Sequence, residues 1–222
     1  MASRKHSTPT ESDYSLRPTH GDSIYSALLR YFSRPVTDIE TEHADPRTHA
    51  DVSHHDSLRA AAVLIAVTRP EENIKSKIVL TLRSENLNSH AGQVSLPGGT
   101  CDQNDCDAIA TALREAEEEI GLDRRQVEVI GHMGDIALPS GFLVTPVVGL
   151  IDSGLSLTPC PDEVADIFYP PLELLLNPDT YTSVTAQYPQ GERTILELPY
   201  EGYRIWGVTA AILHSLARKL HV

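Results

Sequence analysis

Within residues 112–122, ALREAEEEIGL, glutamates stand at 115, 117, 118 and 119. The composition favours a helix, and Gly121 suits the left-handed position that ends one. On that helix Glu115, Glu118 and Glu119 fall at i, i+3 and i+4 and share one flank, opposite an apolar stripe of Ile109, Ala112, Leu113, Ala116 and Ile120. Glu117 points elsewhere, to solvent. Three carboxylates on one flank are hard oxygen donors of the kind that hold Mg²⁺ or Mn²⁺. Left alone they are unfavourable. Near a helix C-terminus each costs about 0.3–1 kcal/mol against the dipole, and the like-charged pair Glu115/Glu119 adds about 0.2–0.5 kcal/mol. A bound cation offsets both. Arg114, one residue before Glu115 and four before Glu118, is spaced to orient a carboxylate.

Glutamate clusters also occur as plain solvated surface. Two features favour chemistry. From Cys101 to Glu119 seven acids face one base, and the glycines of "PGG" come just before. Backbone that approaches closely at Gly98 and Gly99 can offer carbonyl oxygens to a metal and amides to a phosphate.

The elements that must position these groups are legible in outline. "DSIYSALLRYFS" (22–33) has the spacing of a short amphipathic helix. "AAAVLIAV" (60–67) and "KIVLTLRS" (77–84) read as strands, joined by a turn-forming stretch that suggests an antiparallel pair. A loop follows over 85–105, and Asp107 is a cap for the glutamate helix. Further strands are predicted over 127–138 and 143–151, a short helix over 171–178, a hairpin over 193–207 and a closing helix over 207–220. The fold class is therefore mixed α/β, with a sheet between helices. Residues 1–59 read as a polar arm, a short helix and a linker, and 60–222 as the domain. The linker's His43, His49, His54 and His55 are irregularly spaced among acids and read as solvated.

Composition narrows the function. A net charge of −13 argues against nucleic-acid binding, because no basic stripe offsets it. No apolar run is long enough to span a bilayer, and the N-terminus lacks a signal-type core, so no membrane role and a cytoplasmic location are expected. Cys101, Cys106 and Cys160 lack zinc-type pairing and read as reduced thiols.

The stretch "GTCDQNDCDAIATALREAEEEIGL" resembles the Nudix box, G-x5-E-x7-R-E-U-x-E-E-x-G-U with U aliphatic. Gly99, Arg114, Glu115, Ala116, Glu118, Glu119, Gly121 and Leu122 match. The early glutamate position departs: five residues separate Gly99 from Asp105, but eight, not seven, separate Asp105 from Arg114, so the loop is one residue longer. Asp105 then reads as structural or as a partner of the site's own residues. Upstream, "LRSENLNSHAGQVSLPGG" is similar to the segment marking the coenzyme A diphosphatase branch. Arg83, Ser84, Leu87, His90, Gly92, Gln93 and Val94 match, and Leu96 replaces the usual phenylalanine. The segments 162–178 and 203–213 also look like that branch.

The resemblance implies a Nudix-type α/β/α sandwich. It implies a metal-dependent enzyme that splits coenzyme A, or a derivative, into 3′,5′-ADP and 4′-phosphopantetheine. Glu115, Glu118, Glu119 and Arg114 would be catalytic, and Glu115, Glu118, Glu119 and Gly99 would hold Mg²⁺ or Mn²⁺. Arg83, Ser84, His90, Gln93, Gly98 and Gly99 would meet the substrate. The general base is Glu115 or a carboxylate outside the box such as Glu163. Tyr203 and Trp206 are open between substrate contact and core. The expected partner is a small molecule, with a homodimer possible. The rival readings are a Nudix hydrolase of ADP-ribose, NADH or nucleoside triphosphates, and a non-catalytic Nudix-fold binding module.

Overall fold

The computed structural model describes residues 23–34, 58–87, 89–138, 140–188 and 191–221. The polar arm 1–21 and the linker histidines lie outside them. The first helix, α1 (Ile24–Phe32), starts at Ser23, whose Oγ accepts the Ser26 amide. The strand β1 (Arg59–Thr68) carries a continuous apolar run, and its side chains alternate between two cores. Ala62, Leu64 and Ala66 face one; Ala61, Ile65 and Val67 face the other.

Strand β1 lies inside a five-stranded mixed sheet. It pairs in parallel with β7 (Phe142–Ile151) and antiparallel with β4 (Gly98–Thr100); β5 (Glu128–His132) and β6 (Ile136–Leu138) both run antiparallel to β7. Helix α2 (Ala108–Ile120) covers one face, with Ala112, Ala116 and Ile120 on Leu64, Val147 and Ile151. The other face is covered by α1, α3 (Leu172–Leu175) and α4 (Gly207–Leu220), whose Leu28, Leu175, Leu213 and Leu216 are fully buried. This is the expected sheet between helices. Two three-stranded sheets complete it: β3 (Val94–Ser95), β2 (Leu80–Arg83) and β8 (Val164–Phe168) in that order, and β11 (Tyr203–Trp206), β10 (Gly191–Tyr200) and β9 (Thr182–Tyr188).

The antiparallel pair expected between 60–67 and 77–84 forms only in part. Val67 bridges Ile78 and the Val79 amide reaches Ala66 O, after which β2 leaves for β3 and β8. The reason is that both edges of β1 are taken, one by β7 along its length and the other by β4 and the Pro97 carbonyl. The span 127–138 divides into β5 and β6, and the segment read as one loop contains β3 and β4. The hairpin over 193–207 is present as β10–β11. No helix among the described residues is long and apolar enough to cross a membrane.

Candidate active site

Helix α2 is fixed at both ends. The Asp107 carboxylate accepts the Ala110 amide at 2.8 Å, and Gly121, at φ +66°, closes the helix with Leu122 N donating to Ala116 O. The last turn holds no basic residue. Its free carbonyls are met instead by a neighbouring segment: Thr158 N donates to Ile120 O at 2.9 Å and Cys160 N to Glu119 O at 2.8 Å. Backbone amides thus blunt the negative helix end on which the glutamates sit.

The cluster's charge is met mainly by Arg114. Its Nη1 donates to Glu115 Oε1 at 2.9 Å and to Glu118 Oε2 at 3.1 Å, while Nε and Nη2 fork onto Asp105 and Nη2 also reaches Thr100 O. The forked bonds from Arg114 hold the Asp105 carboxyl far below the usual carboxylate range, helped by the Asp102 amide and the Thr111 hydroxyl. Glu117 pairs outside the site with Arg124, as a solvated position should.

Glu119 is the buried member of the three. Its side chain is 2% exposed, packed against β4. Its Oε2 accepts the Gly98 amide at 3.1 Å and its Oε1 lies 3.6 Å from Arg83 Nη1. Burial outweighs both partners and pushes its pKa up to about 7. Glu115 is also raised, chiefly by burial. It lies against bare backbone: a Cβ on Gly99 would come within 2.6 Å of the Glu115 carboxyl carbon.

Arg83, Gly98, Gly99, Arg114, Glu115, Glu118 and Glu119 are therefore joined through direct contacts. The remaining candidates stand apart from the carboxylates. Ser84 is buried, its Oγ accepting the Asn86 amide. His90, in a left-handed conformation at φ +57°, bonds Gln93 Oε1 through Nδ1 at 3.0 Å in an exposed turn. Tyr203 donates to Asp166 and stacks on Phe168 at 3.8 Å between ring centroids, while Trp206 lies under Arg204. The sequence did not place the fixed position of Glu163. Its amide donates to Cys160 O at 3.0 Å and its carbonyl accepts from Ser84 N at 2.8 Å. The side chain is exposed, and its charge adds to the rise at both Glu115 and Glu119.

Among the described residues, no three acidic, histidine or cysteine side chains stand together as a ready ligand set; Arg114 Nη1 engages Glu115 and Glu118, and the Gly98 amide engages Glu119. The donors themselves are all oxygen. That set, with a backbone cradle at Gly99 that a Cβ would fill, fits a hard divalent cation and not a soft one. The cysteines are free thiols: Cys101 and Cys160 half-buried, Cys106 exposed.

The NUDIX domain family model matches residues 58–188. A Photorhabdus laumondii protein described as an uncharacterized Nudix hydrolase, NudL, is 42% identical over 168 residues, spanning 75% of this chain and 88% of that protein. The Escherichia coli K12 protein of the same description is 40% identical over 178 residues, spanning 80% and 89%. Among solved structures, the Nudix hydrolase RenU of M. smegmatis aligns at a TM-score of 0.44 with 23% identity, covering 52% of this chain and 71% of that one.

Proposed function

Because the chain belongs to the NUDIX domain family, we propose that it hydrolyses a nucleoside diphosphate derivative, and that this substrate is coenzyme A or one of its derivatives. One observation carries the substrate reading. The segment similar to the coenzyme A diphosphatase branch and the Nudix box meet at Glu119, which receives the Gly98 amide on one oxygen and faces Arg83 with the other. The features that suggest a bridged-phosphate substrate and the carboxylates that suit a cation thus share one site.

In the reaction, water adds to one phosphorus, the bridging P–O bond breaks, and the water's proton leaves to a base. From coenzyme A the products are 3′,5′-ADP and 4′-phosphopantetheine. Glu115, Glu118 and Glu119, with the Gly99 backbone, would hold the divalent cation, Mg²⁺ or Mn²⁺. When bound, it supplies Lewis acidity toward the pyrophosphate. Arg114 orients Glu115 and Glu118, and is anchored by Asp105. Arg83 and the Gly98 region meet the phosphates, and His90 and Gln93 line the approach.

Glu163 serves as the general base. It is supported by its exposed carboxylate, its doubly pinned main chain and the engagement of Glu115 by Arg114.

The test is a panel: purified protein with Mg²⁺ or Mn²⁺ and coenzyme A, ADP-ribose, NADH and nucleoside triphosphates, with products identified by mass. The highest kcat/KM is expected with coenzyme A or an acyl derivative. A preference for ADP-ribose, NADH or a triphosphate would overturn the substrate reading.

A further inference from the structure

The two arginines beside the carboxylates are used differently. Arg114 donates from Nε, Nη1 and Nη2 to five oxygens. Arg83, the last residue of β2, has a main chain fixed by the Gln93 carbonyl and the Gly92 amide, at 2.9 and 3.2 Å. Its side chain is far less satisfied. Nη1 stands 3.6 Å from Glu119 Oε1, beyond a good hydrogen bond, and Nε is buried without a partner. A buried guanidinium donor with no acceptor costs free energy until one arrives.

We infer that Arg83 is an exchangeable counter-charge: it balances Glu119 in the metal-free protein, competes with the incoming cation there, and then turns its free fork to a substrate phosphate. This rests on the metal-dependent hydrolase reading above. Arg83 and a cation both draw on the charge of a single buried carboxylate, so each weakens the other's hold on it, and the weakening is reciprocal. A guanidinium released from Glu119 still carries a planar pair of donors that matches two phosphate oxygens. Cation at Glu119 and phosphate at Arg83 then each favour the binding of the other. Arg114 cannot play this part, since Asp105 and Thr100 hold the side of its fork that faces away from the glutamates.

The test is Mn²⁺ binding by isothermal titration calorimetry on the full chain without substrate, alongside KM for coenzyme A at saturating Mn²⁺. Arg83→Gln is expected to bind Mn²⁺ about three- to tenfold more tightly than the parent, because a nearby positive charge is removed. Arg83→Lys, which keeps the charge, should stay within about twofold. KM of Arg83→Gln should rise about tenfold, since the phosphate loses a charged donor. Arg83→Met is a second neutral variant with a long apolar stem and should move as Arg83→Gln does; circular dichroism establishes that each is folded. Unchanged or weaker Mn²⁺ binding in the neutral variants, or equal tightening in Arg83→Lys, overturns the counter-charge role alone. Parent protein that binds no Mn²⁺, or binds it equally after Glu119→Gln, overturns the metal assignment on which that role depends.

Discussion

Arg114 Nη2 donates to Asp105 Oδ2 at 2.8 Å, and this contact ties the acidic loop to the glutamate helix. Eight residues separate Asp105 from Arg114, one more than the Nudix pattern places after its early glutamate. The shorter aspartate reaches the guanidinium from a longer loop, held by the Asp102 amide and the Thr111 hydroxyl. Arg114 in turn presents Nη1 to Glu115 and Glu118, so the loop's geometry is passed to the carboxylates.

Asp105→Asn should therefore lower stability by about 2–3 kcal/mol near neutral pH, because it strips a charged acceptor from a largely buried guanidinium. The carboxyl is depressed below its ordinary 3.8 by Arg114. Its contribution is thus fully present above that value and lost as pH falls below it. Urea denaturation at pH 7 and at pH 3 checks this: the gap between parent and Asp105→Asn should narrow at the lower pH. A variant as stable as the parent at pH 7 would contradict the anchoring role.

Glu119 predicts the opposite pH dependence. A buried carboxyl raised to about 7 favours the protonated folded state, so stability is present below the ordinary 4.5 and is lost as pH rises through 7. Glutamine keeps an oxygen for the Gly98 amide without the charge. In metal-free protein, Glu119→Gln should be more stable than the parent by about 2 kcal/mol at pH 8, with the gap closing below pH 4.5. Millimolar Mn²⁺ should raise the parent's Tm and not the variant's. Thermal melts across pH, with and without Mn²⁺, measure both. A variant less stable than the parent at pH 8 would show that ionised Glu119 is not a liability.

The parts of this arrangement differ in how far the sequence discloses them. Helix α2 was fully legible, since its apolar period, the Asp107 cap and the Gly121 stop agree. The strand character of β1 was legible as well, but its partners were not. An apolar run signals burial on both faces and says nothing of which strand takes which edge, so a local hairpin was expected where β4 and β7 already occupy β1. Strand β9 gave no signal strong enough against its polar alternation. Helical spacing put Glu119 beside Glu115 and Glu118, yet it could not foresee that β4 comes close enough to bury it. Leu96, at the usual phenylalanine position, is 3% exposed and belongs to the core, so that departure is one of packing. The bonds from Thr158 and Cys160 to the end of α2 are long-range and leave no local trace.

Glu118 is the most exposed of the three glutamates, with 56% of its side chain open. Its loss should spare the fold and remove charge needed in the transition state. Glu118→Gln is expected to lower kcat by at least about 10²-fold with little change in Tm. Glu163→Gln should also lower kcat by about 10²-fold while leaving Mn²⁺ affinity near that of the parent, which separates a base from a ligand. Steady-state kinetics with calorimetry read both. Near-normal turnover in Glu118→Gln would remove it from the ligand set, and near-normal turnover in Glu163→Gln would return the base role to Glu115.

The two glycines ahead of the helix should fail in different ways. An alanine at Gly98 would put Cβ 2.3 Å from the Ala62 carbonyl, at φ +153°, where neither the sheet backbone nor the residue can yield. Gly98→Ala should therefore lose stability, by about 2–3 kcal/mol or more, as strained backbone substitutions do. At Gly99 the obstacle is the end of a flexible side chain, the Glu115 carboxyl, 2.6 Å from the new carbon. That carboxyl can swing aside at small cost to the fold, but a displacement of about 1 Å in a catalytic group is enough to cost about 10²-fold in rate. Gly99→Ala should thus keep a Tm close to the parent's while losing kcat and Mn²⁺ affinity together. If it loses Tm as severely as Gly98→Ala, the close approach at Gly99 is a packing requirement and not a cradle for the site.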